Sequence, residues 1–156
     1  MLFVFLNNNA EQAVPVGGSA NLGNVVRKYC KCINCKTTFA NNGNSLALQQ
    51  EGVYKVEVNI NFSGDAAGDV TFQLANNGVL IPGAIATETI TTADTEFRNV
   101  TLTAYVLVDS SCVLNTVSTF INNISVVNSG VTAGGAAVAG VDATIYRIST
   151  SAQKVV

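Results

Sequence analysis

Val-Tyr-Lys-Val-Glu-Val-Asn-Ile-Asn-Phe, residues 53–62, decides how the rest of the chain reads. Tyr54, Val56, Val58, Ile60 and Phe62 are apolar at every second position, with Lys55, Glu57, Asn59 and Asn61 between them. Successive side chains of an extended chain point to opposite faces, so this stretch has one dry face and one wet face. A helix would scatter the same residues around its circumference. Glu51-Gly52 ahead of it reads as a turn, where glycine takes backbone shapes other residues resist.

Outward from that strand the same grammar repeats. Toward the N-terminus, residues 1–6 read as a strand buried on both faces, because its apolar run does not alternate. Asn7-Asn8-Asn9 is a turn cluster, and residues 13–16 are a short extended piece that Pro15 confines to an edge. Residues 24–29 form a further strand, and residues 45–49 set Leu46 and Leu48 on one face. Toward the C-terminus, Val70, Phe72 and Leu74 alternate up to Asn76-Asn77-Gly78, which contains the Asn-Gly pair of tight hairpins. Residues 79–81 return and stop at Pro82-Gly83, and residues 87–95 are Thr-rich without a pattern. Val100, Leu102, Ala104, Val106 and Val108 give a second long alternation. Strands follow over 114–121, 124–127 and 143–148, with a Gly/Ala-rich loop over 130–140 and a polar tail at the end. Many short strands separated by turn chemistry describe an all-β, antiparallel β-sandwich. Residues 1–16 are expected as an N-terminal strand and docking arm, and residues 17–156 as the sandwich domain. The expected core is Tyr54, Val56, Val58, Ile60, Phe62, Phe72, Leu74, Val100 and Leu102.

Composition narrows the role. Of 156 residues, 48% are hydrophobic and only 12% charged, about half the usual charged share. A surface so poor in charge tends to associate, and closed oligomers are the usual way to cover it. No apolar run approaches the ~20 residues that span a bilayer, and residues 1–6 are too short for a signal-peptide core, so no membrane partner is expected. A net charge of −2, with basic residues grouped only around Arg27-Lys28, makes no nucleic-acid stripe.

The chain has no histidine, which removes the commonest general base and any Ser-His-Asp or Cys-His arrangement. No catalytic residue and no cofactor is expected, and the chain does not read as an enzyme. Asp65 and Asp69 flank a Gly/Ala loop, but two carboxylates fall short of the six to eight oxygens of a calcium site. Cys30, Cys32 and Cys35 fall within six residues, and Cys112 lies far down the chain. Their spacing is not that of two Cys-x-x-Cys knuckles. Free thiols, a disulfide between one of the three and Cys112, and a thiolate zinc site are the three states open to them.

Leu46-x-Leu48 followed by Glu51-Gly52-Val53-Tyr54-Lys55-Val56-x-Val58 resembles the signature of the tumour-necrosis-factor and complement-globular-head jelly roll. Gly68-x-Val70-x-Phe72-x-Leu74-x-Asn76-Asn77-Gly78 is similar to the next hairpin of that family. Val79-Leu80-Ile81-Pro82-Gly83-Ala84 also resembles a segment of small Asn- and Ala-rich proteins of the superfamily encoded by gut Firmicutes and their bacteriophages. The resemblance implies a jelly roll that assembles as a trimer, in a virion or on a cell surface. A structural virion protein is then expected: a decoration or appendage protein of a bacteriophage head or fibre, acting by assembly. Residues 1–16 would contact other virion proteins, and Tyr105 and Tyr146 are the candidates for the contact between copies. The alternatives are a receptor- or glycan-binding module, or a spore or cell-surface protein of a Firmicute. The family's final strand is aromatic-rich, whereas Thr144-Ile145-Tyr146-Arg147-Ile148 carries one aromatic.

Overall fold

The computed structural model describes residues 1–30, 39–109, 122–130 and 140–156. Eleven strands lie among them: β1 (Leu2–Asn8), β2 (Gln12–Val14), β3 (Asn24–Cys30), β4 (Phe39–Asn41), β5 (Leu46–Leu48), β6 (Gly52–Gly64), β7 (Gly68–Asn76), β8 (Val79–Ile90), β9 (Phe97–Val108), β10 (Asn122–Asn128) and β11 (Ala143–Lys154). Every pairing is antiparallel. The first sheet runs β3-β1-β11-β6-β9, with β2 continuing the line of β1 along β11; the second runs β4-β5-β10-β7-β8. The two sheets pack face to face as a jelly-roll sandwich.

The alternation of β6 builds the wall between the sheets. Tyr54, Val56, Val58, Ile60 and Phe62 are all buried, and Val100 and Leu102 of β9 and Phe72 and Leu74 of β7 join them. Two ring pairs tie sheet to sheet. Phe62 of β6 meets Phe72 of β7 edge-on, with centroids 4.9 Å apart and planes at 80°. Phe39 of β4 meets Tyr54 of β6 at 6.0 Å in the same manner. The Tyr54 hydroxyl donates to the Gln50 carbonyl (2.8 Å), so its burial leaves no orphaned donor. Burial pushes its pKa up to about 12. At the β7–β8 hairpin Asn77 and Gly78 both take positive φ (51° and 80°), which a type I′ turn requires.

Four expectations change. Residues 1–6 are not buried on both faces: Leu2, Val4 and Leu6 point into the core, while Phe3 and Phe5 face outward and are half-buried. Nor do residues 1–16 form a separate arm, since β1 is hydrogen-bonded on one side to β3 and on the other to β11, and β2 pairs with β11. Pro82-Gly83 does not end its strand: residues 81–84 bulge out of the ladder between Leu80 and Ile85, pairing with β7 resumes beyond them, and β8 continues to Ile90 as the outer strand of its sheet. The last strand runs to Lys154 rather than 148. A bulge at Tyr146 shifts the register between Ile145 and Arg147, and beyond it Ile148, Thr150 and Ala152 point inward. Cys30 is the last residue of β3; Cys32, Cys35 and Cys112 lie outside the described residues, as do the strand expected over 114–121 and most of the loop expected over 130–140.

Candidate functional site

The outer face of the β3-β1-β11-β6-β9 sheet is assembled from the side chains that the core leaves over, in rows fixed by the strand register. One row runs Tyr29, Phe3, Gln153, Lys55, Tyr105, and the next Arg27, Phe5, Ser151, Glu57, Thr103. Below them come Ser149, Asn59 and Thr101, then Arg147, Asn61 and Asn99. Aromatic rings therefore frame a centre of small and amide side chains.

That centre is polar, and its lysine, glutamate and asparagines are already paired with one another. Lys55 Nζ lies 2.9 Å from Glu57 Oε2, and this hydrogen bond, with the Glu57 charge, raises the lysine pKa. Asn59 and Asn99 exchange two amide hydrogen bonds (3.1 and 3.0 Å). Asn59 also donates to Thr101 Oγ1 (3.0 Å), and Asn99 to the Ile60 carbonyl (3.2 Å) and to Asn61 Oδ1. The cross-strand spacing of a sheet brings such amides within reach of each other. A face whose polar atoms are satisfied internally loses little when water is removed from it, because desolvation is expensive mainly for groups left unpaired.

The face ends in an exposed edge. Among the described residues β9 pairs only with β6 in its sheet, and Phe97, Tyr105 and Leu107 stand 66%, 67% and 63% exposed along it. Its twelve residues contain no proline or glycine. The other edges among the described residues are blunted: β8 carries Pro82-Gly83, β4 is three residues long, and β3 carries Arg27 and Lys28. A long β-prone edge is a pairing liability unless something covers it, and the one charge on β9, Arg98 near its start, is engaged by Glu96.

The two tyrosines singled out in the sequence lie at opposite ends of this face. Tyr105 sits opposite Lys55. Tyr146 is half-buried, shares a hydrogen bond with the Ser63 hydroxyl (3.3 Å), and packs its ring on Phe97 at 5.2 Å. Sequence reading missed Phe97, although it has the same parity as Tyr105 and opens the same strand.

Beside this edge, the β8–β9 loop is drawn in by one carboxylate. Glu96 Oε2 accepts from the Thr91 amide (2.7 Å), the Thr91 hydroxyl (2.8 Å) and the Thr92 amide (3.1 Å), and Oε1 pairs with Arg98. The Thr91 hydroxyl and amide, then the Thr92 amide, hold its pKa down to about 2. Asp65 and Asp69 are used as tethers, accepting from Thr144 (2.8 Å) and Thr89 (2.7 Å). Among the described residues no three His, Cys, Asp or Glu side chains converge on a point that would hold a metal ion.

No family model matches the chain, and no curated protein matches it by sequence. Solved structures do match over nearly the whole length. The globular domain of zebrafish complement 1qA protein superposes with a TM-score of 0.58 at 8% identity, covering 100% of this chain and 98% of that one. Eiger TNF from S. frugiperda gives 0.58 at 11% identity, covering 99% and 91%. PRD1 vertex protein P5 gives 0.50 at 12% identity, covering 99% and 97%. At such identities the likeness establishes the fold: a jelly roll of the tumour-necrosis-factor and complement-globular-head type.

Proposed function

We propose that this chain is a structural protein of a bacteriophage particle, a decoration or appendage component that works by assembling with copies of itself through the outer face of the β3-β1-β11-β6-β9 sheet. One observation carries the reading. That face pairs its Lys55, Glu57, Asn59 and Asn99 side chains with one another and ends, among the described residues, in a long edge that exposes Phe97, Tyr105 and Leu107 and whose one charge, Arg98, is engaged by Glu96. Both properties suit burial against protein and neither is needed in a solvated monomer. Burial of even 1,000 Å² of apolar surface supplies roughly 25 kcal/mol at ~25 cal/mol per Å², before the cost of association is subtracted. The virion location draws support from the fold shared with PRD1 vertex protein P5 and from the resemblance to proteins of Firmicute bacteriophages.

Sedimentation equilibrium or light scattering tests the assembly, with a trimer as the expected mass. A monomer at micromolar concentration would sink it. Location is tested separately by gene neighbourhood. Capsid and portal genes beside the coding sequence are expected, and sporulation genes there would move the protein to a spore coat.

A further inference from the structure

Half of the positive charge of this chain is gathered in one stretch. Of its eight lysines and arginines, Arg27, Lys28, Lys31 and Lys36 fall between positions 27 and 36, in a chain of net charge −2. The first two stand on β3, which ends the first sheet on the side away from β9. β3 differs from every other described strand, since each residue from 24 to 29 is exposed, whichever face it points to. Its inward cation is committed: Lys28 Nζ donates to the Phe39 carbonyl (3.2 Å) and lies 5.9 Å from the centre of that ring. Arg27, on the outward face, has no ion pair among the described residues. Arg27 pairs with Phe5 and Val25 with Leu6, so Val26 is left over as a bulge. Beyond the bulge lies a regular edge, Arg27–Cys30, whose far side carries no ladder among the described residues. Free N–H and C=O groups along such an edge are a template for another strand.

We propose that this edge takes up an extended acidic segment of a second protein, which adds to the first sheet as a further strand beside β3. Backbone hydrogen bonds supply one part of the affinity and the acidic side chains the other. A carboxylate directly across from Arg27 accepts a forked pair of hydrogen bonds from the guanidinium. The next carboxylate on the same face reaches the hydroxyl of Tyr29, which stands 51% exposed two residues along. A second copy of this chain is the wrong occupant. Two β3 edges laid together would set Arg27 and Lys28 of one against Arg27 and Lys28 of the other, and like charges across a ladder repel. The same two side chains that keep β3 from pairing with itself therefore select an acidic partner. The regular edge is short and forms few backbone bonds, so the contact depends on charge and weakens in salt. This site goes beyond the assembly reading and does not depend on it.

The test titrates the intact chain with a synthetic peptide of about six residues, alternating valine and glutamate and capped at both ends. Fluorescence anisotropy reads the binding, and amide hydrogen exchange reads its place. Saturable binding is expected, with exchange slowed in β3 and not in β9, and with affinity at least about tenfold lower in strong salt. The same peptide with lysine for glutamate should not bind. Arg27→Glu, at an exposed position that leaves the core untouched, should reverse the preference and take the lysine peptide. Two further acidic peptides carry methyl groups on alternate backbone nitrogens, one along each of their edges. Only one edge can face β3, so one of these should bind the native chain and the other should not. If both bind as well as the unmethylated peptide, the attraction is charge alone and no strand is added. If no acidic peptide binds, or exchange slows elsewhere than in β3, this edge is not a docking site. Either result overturns the proposal, and neither bears on the solution mass by which assembly of copies is judged.

Discussion

Replacing Phe72 by alanine should be among the most damaging single changes in this protein. The ring is fully buried and lies edge-on to Phe62, 4.9 Å away, so it packs across the gap between the two sheets rather than within one of them. Phe→Ala at a buried site costs about 3–5 kcal/mol, and the upper part of that range applies where the cavity cannot collapse. Here the sheets are held apart by the second ring pair, Phe39 and Tyr54, so the vacated space stays open. A loss of about 4 kcal/mol follows, against the 5–15 kcal/mol that holds an ordinary domain together. The edge-to-face term is separable. Run with leucine at both positions, a Phe62/Phe72 double-mutant cycle should show a coupling of about 1 kcal/mol, the double variant losing that much less than the sum of the single losses. Urea unfolding at a fixed protomer concentration measures both quantities, since association of copies would otherwise add to the apparent stability. If Phe72→Ala lowers stability by less than about 1 kcal/mol, or the leucine cycle is additive, the inter-sheet ring pair is not what holds these sheets together.

Gly52→Ala should be destabilised by about 1–3 kcal/mol. The backbone there has φ of +144°, and an added Cβ would lie 2.6 Å from the Val156 carbonyl oxygen and run into Lys154 Cε. Thermal unfolding measures the loss, and a neutral result would mean the C-terminal strand is not held against β6. Tyr54 gives a pH signature. Its folded pKa of about 12 lies above the ordinary 10, so the native state keeps a proton that the unfolded chain releases. The stabilisation is fully present below pH 10 and is lost as pH rises toward 12. Spectrophotometric titration should show one phenol ionising late, and Tyr54→Phe should abolish that late step; early ionisation of all four tyrosines would contradict the burial.

The parts of the fold legible in the sequence were those where one face is oil and the other water. β6 and β9 have this pattern without interruption, and their core residues could be named from periodicity alone. β11 hid its continuation for two physical reasons. The bulge at Tyr146 reverses the parity halfway, and the inward residues beyond it include Thr150 and Ala152, which do not look like core. β1 misled in the opposite sense, since Phe3 and Phe5 are apolar yet face outward onto the candidate surface. β8 was cut short at Pro82 because sequence shows neither that the strand lies outermost nor that residues 81–84 bulge out and let pairing resume at Ile85. Tyr105 was singled out from the sequence, but the make-up of the face beside it was not. It depends on Phe5, Glu57, Asn59, Thr101, Ser149 and Ser151 lying side by side, and that adjacency exists only once four separate strands are in register.

The place of β11 also governs how the molecule comes into being. It lies between β1 and β6, so β1, paired on its other side with β3, gains this second neighbour only once β11 is in place. Until then Leu2, Val4 and Leu6 have no completed sheet to enter, and the loop that must close between β1 and β11 runs past every other strand of the sandwich. Pairing over so long a separation folds slowly. The nascent chain keeps its greasy N-terminal ribbon waiting, and a truncation within 143–154 would forfeit the whole first sheet rather than trim its end.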